Sequence, residues 1–211
     1  MSVTSRLQMS RKQLAVMCHD DPEAIRLMER LFAVGDRFED DEWTDIDFPI
    51  IIRTTGPGIP TLATVNGNLT MPQWAVNDVN MCESQEFVHA WKEGTEVQWH
   101  IHLITNGLDA TDRFVRFNLE YGYGNVNGAW TFPAAVTTAD LLIPANTPNR
   151  TMLVFNLATF TPSSLKVAAH SVARLQRVAA VGAAPTANPF IPMLQMHVQV
   201  NTLGSRTVSA K

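Results

Sequence analysis

The stretch "VQWHIHLITNG", residues 97–107, decides how the chain is read. Val97, Trp99, Ile101 and Leu103 alternate with Gln98, His100 and His102, and side chains two apart in an extended strand point to the same side. One side is apolar and the other polar. That is the pattern of a strand with one face on a core, as in antiparallel sheets.

The alternation recurs along the chain. Val115, Phe117, Leu119 and Tyr121 share a face in "RFVRFNLEYGY" (113–123), and Leu194, Met196, Val198 and Val200 do so in "MLQMHVQVNT" (193–202). "RTMLVFNLATF" (150–160) and "EFVHAW" (86–91) are further strand candidates. Asn66-Gly67, between "TLATV" and "LTMPQ", is a two-residue hairpin signal. "LKVAAHSVARLQRVAAVGAA" (165–184) reads as strand from its neighbours, although Val172, Leu175 and Val178 are also spaced for a helix. About eight to ten short strands with Pro- and Gly-rich turns and no fixed-period repeat predict a mainly β chain, an antiparallel β-sandwich of the jelly-roll kind.

A different texture precedes residue 46. In "DDPEAIRLMERLFAVGD" (20–36), Asp21 caps a helix over residues 21–34, Pro22 suits its first turn, and Gly35 ends it. Ile25, Met28, Leu31 and Phe32 form its apolar stripe, which a helix of this length must bury elsewhere to be stable. Residues 1–45 are therefore expected to be a docking arm, and residues 46–211 the sandwich domain.

Charge follows the same division. The net charge is −4, yet residues 1–47 hold 11 of the 20 acids and only 6 of the 16 bases. No acid follows Asp140, while Arg150, Lys166, Arg174, Arg177, Arg206 and Lys211 do. Opposed ends of this kind suit docking between copies or onto a shell of opposite charge. Only 17% of residues are charged, below the roughly 25–35% of a free-standing soluble surface, which points to extensive contact with other protein.

Several classes are disfavoured. Basic residues are too sparse for a nucleic-acid footprint, and no apolar run suits a membrane span or a signal peptide, so synthesis in a cytoplasm is expected. Cys18 and Cys82 stand alone and imply neither a disulfide nor a thiolate metal site. No nucleophile elbow or phosphate loop is present.

His100 and His102 are the metal candidates, because His-x-His on one strand is how a cupin-type barrel begins its ligand set. The expected carboxylate is missing from "LITNGLDA", and a cupin metal lies inside the barrel, whereas these imidazoles oppose the aliphatic row. No metal or other cofactor is therefore expected. An interface role suits the pair better, beside Arg116, Asn118 and Glu120 on the next strand if Asn106-Gly107 is a hairpin. His89, His170 and His197 each stand alone in strand-like context; one could supply a third ligand, but they read first as structural histidines. Tyr121, Tyr123, Trp130 and Phe132, around "YGYGNVNG", offer a stacking platform for sugar or, more simply, core and interface aromatics.

By "WKEGTEVQWHIHLITNG" (91–107), "IPANTPNRT" (143–151) and "AAPTANPFIPMLQMHVQVNTLGSR" (183–206), the chain resembles a group of tailed-bacteriophage virion structural proteins with a jelly-roll domain, over roughly residues 46–206. The resemblance implies a non-enzymatic capsid decoration or cement protein. It would be a homotrimer whose partner is the major capsid protein shell, on the capsid surface of a virion made in the host cytoplasm. Related jelly rolls also serve as head fibres and tail adhesins. The resemblance further favours a strand over residues 165–180.

Overall fold

The computed structural model describes residues 16–19, 21–39, 42–51 and 58–200, with the side chains of residues 31–39 excepted. The polar arm ahead of residue 16 and the tail with Arg206 and Lys211 lie outside the described residues. Helix α1 spans Pro22–Glu39. The strands are β1 Glu42–Pro49, β2 Thr61–Asn66, β3 Leu69–Gln73, β4 Val79–Met81, β5 Gln85–Glu86, β6 Val97–Ile104 and β7 Arg113–Gly124. They continue with β8 Trp130–Thr131, β9 Val136–Thr137, β10 Leu141–Ile143, β11 Met152–Phe160, β12 His170–Val178 and β13 Met193–Val200.

Pairing is antiparallel throughout, and it is nested. The first strand pairs with the last, β1 with β13; inside that pair lie β4 with β12, then β6 with β11, then β7 with β10. One sheet runs β1-β13-β6-β11 and the other β10-β7-β12-β4. A long hairpin folded in half and rolled up gives this order, which is the double Greek key of a jelly roll. The remaining short strands are additions. β2 and β3 form a separate hairpin whose linking residues are Gly67 and Asn68, one position on from the expected Asn66-Gly67, with Gly67 at a positive φ of 53°; β5, β8 and β9 extend the second sheet.

The core is the sum of the inward rows. Val97, Trp99, Ile101 and Leu103 are fully buried, as are Phe117, Leu119, Leu175, Leu194, Met196 and Val198. Trp99 joins the layers, with its ring 4.6 Å from Phe48 in its own sheet and 5.7 Å from Tyr121 in the other. Burying such rings contributes most of the drive to close the sandwich.

Asp21 caps α1 as expected, its Oδ1 accepting from the N–H groups of Glu23 (2.9 Å) and Ala24 (3.3 Å). Gly35 does not end the helix, which continues to Glu39; a mid-helix glycine weakens a helix by about 1 kcal/mol but does not forbid it. The sheet takes in Glu42, Trp43, Thr44 and Asp45, which the sequence reading placed with the arm. "EFVHAW" is strand only at Glu86, after which the chain turns, with Trp91 N–H donating to Val88 O. Residues 165–184 contain the strand β12, as the resemblance favoured.

The link from β6 to β7 is not a hairpin. It carries the chain from one sheet to the other, with Gly107 at φ 104° and its N–H bound to Asn149 Oδ1 at 2.7 Å. Arg116 and Glu120 therefore do not stand beside His100 and His102. Among the described residues, no helix is long and apolar enough to cross a membrane.

Candidate functional site

The outward row of the β1-β13-β6-β11 sheet gathers the chain's titratable cluster. Strand register sets Asp45 opposite His197, and lines up Asp47, Gln195, His100 and Asn156 across four strands. Because the inward neighbours of each are core residues, alternation forces these polar side chains onto one surface. The two histidines face away from the sandwich interior, as the sequence reading held, and this is not the inward ligand arrangement of a cupin.

His100 is nevertheless 3% exposed, covered by the side chains around it. Its ring lies 4.1 Å from that of His197 and 5.4 Å from that of His102. Its Nε2 is 3.1 Å from Gln195 Oε1, and Gln195 Nε2 donates to Asp47 Oδ1 at 2.6 Å. A carboxylate only accepts, so the Gln195 amide orientation is fixed, and His100 Nε2 must carry the proton it donates. The Nδ1 of His100 then has a buried lone pair with no hydrogen-bond partner. Burial lowers the His100 pKa, as do His197 and His102; Asp45 and Gln195 oppose the shift.

Asp45 Oδ1 is 2.7 Å from His197 Nε2 and 3.7 Å from His100 Nε2. One donor atom from each of Asp45, His100 and His197 lies within 4.8 Å of the others, the spacing at which a single ion can be shared. Trp43 flanks the group, its ring 6.2 Å from that of His197. Sequence reasoning found His100 and His102, named His197 only as one of three isolated histidines that could add a third ligand, and missed Asp45. The alternation of "MLQMHVQV" did place His197 on a polar row; what was lacking was the register that brings that row beside β6 and β1.

The other expected interface residues are dispersed. Ile25 and Met28 are half-buried on α1, while the side chains of Leu31 and Phe32 lie outside the described residues. Arg116 donates from Nε to Thr138 O at 2.9 Å. Glu120 forms an ion pair with Arg174 across the β7–β12 pairing.

The four aromatics divide between two surfaces. Tyr121 is core, and Tyr123 stacks on Phe160 at 5.6 Å and 13°. The rings of Trp130 and Phe132 cover the outer face of the second sheet, stacked at 6.2 Å and 19°, with Phe132 71% exposed. Glycine makes this possible: a Cβ at Gly122 would meet the Phe132 ring at 2.6 Å. Beside them is a depression of about 190 Å³ lined by Glu120, Phe132, Val172, Arg174 and neighbours.

No family model matches the chain, and the comparison with curated proteins gave no match. Among solved structures it is similar to the infectious bursal disease virus Gx strain structure at 9% identity and a TM-score of 0.39, covering 81% of this chain and 35% of that one. It is also similar to the CBM22-1-GH10 modules of Clostridium thermocellum xylanase 10B complexed with xylohexaose, at 12% identity and a TM-score of 0.33, over 78% of this chain and 27% of that one. A third is the VP2 subviral particle of infectious bursal disease virus, at 9% identity and a TM-score of 0.23, over 70% and 41%. The chain thus spans well under half the length of each, and its jelly-roll assignment rests on the nested strand pairing.

Proposed function

We propose that the chain is a virion structural protein, a capsid decoration or cement protein of a tailed bacteriophage. It acts without catalysis, as a homotrimer bound to the major capsid protein shell through the arm that precedes β1, residues 1–41. The resemblance of residues 46–206 supports this reading. The observation that carries it is the amphipathic helix α1, whose Ile25 and Met28 are incompletely covered by the chain itself. An apolar stripe left in this state gains free energy by seating on another surface.

The mechanism is then mechanical. A ligand that binds only the assembled shell stabilises it by mass action, and three arms on one trimer convert weak contacts into avid ones. Deletion of residues 1–41, which leaves β1 intact, is expected to abolish co-sedimentation with undecorated shells while the trimer persists; unchanged co-sedimentation would refute the arm's role.

A second reading, a glycan-binding adhesin, is favoured by the exposed Trp130–Phe132 stack beside the Glu120–Arg174 pair. Flat rings flanking hydrogen-bonding groups suit a sugar ring. Glycan-array binding that is lost in Phe132→Ala would establish this reading, and a blank array would remove it.

A further inference from the structure

We propose that Asp45, His100 and His197 form a binding site for one divalent transition ion, with zinc the foremost candidate. The site is independent of the capsid reading and is not the His100–His102 pair that the sequence suggested.

Two imidazoles and one carboxylate are the donor types that such an ion accepts, with a remaining position left for solvent. Bonds of 2.0–2.2 Å in a tetrahedron set donors about 3.4 Å apart. Asp45 Oδ1 stands 2.7 Å from one imidazole nitrogen and 3.7 Å from the other, so the observed separations bracket that value. The two imidazole nitrogens stand within 4.8 Å of each other, so rotations of the side chains would complete the geometry. Hydrogen bonding alone explains the cluster poorly. A single carboxylate oxygen faces Nε2 of both His100 and His197, and the unpartnered Nδ1 of His100 can take up the ring proton when Nε2 exchanges its contact with Gln195 for the ion.

The three donors lie on three adjacent strands, β1, β13 and β6, whose ladders fix the backbone beneath them. Strand β1 is the edge of its sheet and follows directly on the arm. An ion shared by β1 and β6 would tie that edge to an inner strand, adding to the β1–β13 hydrogen bonds a second attachment for the root of α1.

The test uses the full chain, stripped with a chelator and moved to chelator-free buffer. It is titrated with ZnCl2 by calorimetry and with CoCl2 in the visible. One ion per chain, the d–d bands of tetrahedral cobalt, and a zinc-dependent rise in Tm are expected. Asp45 and His197 are about two-fifths exposed, so Asp45→Ala and His197→Ala should fold, as circular dichroism will verify. Each should weaken zinc binding at least about tenfold, the scale on which even outer partners of a metal site act. His170→Ala, which removes the exposed imidazole near Glu86, should change nothing. Absence of zinc binding to the wild-type chain, binding that persists unweakened in both Asp45→Ala and His197→Ala, or binding lost in His170→Ala would each overturn the proposal.

Discussion

Arg177 and His100 are two buried basic side chains on different sheets, the first on a core-facing row and the second on an outward one, 1% and 3% exposed, and they are accommodated differently. Each sits on an inner strand, β12 or β6. Arg177 lies on the core-facing row of its strand with Ser171, Ala173 and Leu175. Its Nη1 donates to Trp74 O at 2.5 Å and to Asn188 Oδ1 at 2.9 Å, and Asp78 supplies an opposing charge. Although burial lowers its pKa, a guanidinium starts so high that it stays charged. His100 has a neutral amide oxygen as its closest partner and two other imidazoles nearby. For an imidazole the same burial favours the neutral ring. One sheet holds a cation with two acceptors at Nη1 and an opposing charge, although Nε of Arg177 has no partner; the other releases the charge and keeps a lone pair.

The comparison is broken most forcefully at Arg177. Arg177→Met should cost about 3–5 kcal/mol in urea unfolding, because Trp74 O and Asn188 Oδ1 lose their shared donor inside the protein and Asp78 loses its opposing charge. A loss below about 1 kcal/mol would mean that the guanidinium is not required there. His100→Leu should cost less, about 1–2 kcal/mol, since a neutral hydrogen bond is lost and only Gln195 Oε1 is left unpaired. If the two losses came out equal, the distinction between held and released charge would fail.

The smallest effect is a pH dependence. Burial raises the Asp78 pKa above the ordinary aspartate value of 3.8, more than the Ala75 N–H and Arg177 lower it. The folded chain therefore holds this proton more tightly than the unfolded chain. The Asp78 contribution to stability declines as pH rises from about 3.8 through the raised value, and is level above it. The stability of the wild type relative to Asp78→Asn should accordingly decline across that window, measured as urea midpoints at a series of pH values. A relative stability that grew instead would show that attraction to Arg177 outweighs burial.

The same two residues show what the sequence could and could not reveal. The inward row of β6 was plain because all four of its members are apolar. The inward row of β12 was obscured because Ser171 and Arg177 occupy it, satisfied by Gly122 O and by Trp74 O, partners far away in the chain. Alternation correctly turned His100 and His102 outward, but an outward residue need not be exposed, and only the neighbouring strands could bury His100. The Asp45–His100–His197 group was illegible for a related reason. Its members are separated by 55 and 97 positions in the sequence and meet only through the β1–β13–β6 register. Asn106-Gly107 misled because a Gly turn looks alike whether the chain returns in the same sheet or crosses to the other.

The nesting of strand pairs has a further consequence, for the order in which the molecule can form. Closing a loop costs entropy that grows with its length, and contacts between distant residues are made slowly. The β7–β10 pair encloses the shortest segment and β1–β13 the longest, with Glu42 meeting Val200. Assembly that proceeds outward from β7 and β10 would close the β1–β13 pair last, and unfolding would open it first. That pair carries Asp45 and roots the arm, so a nascent or damaged subunit would lack a firm anchor until the rest of its roll was in place.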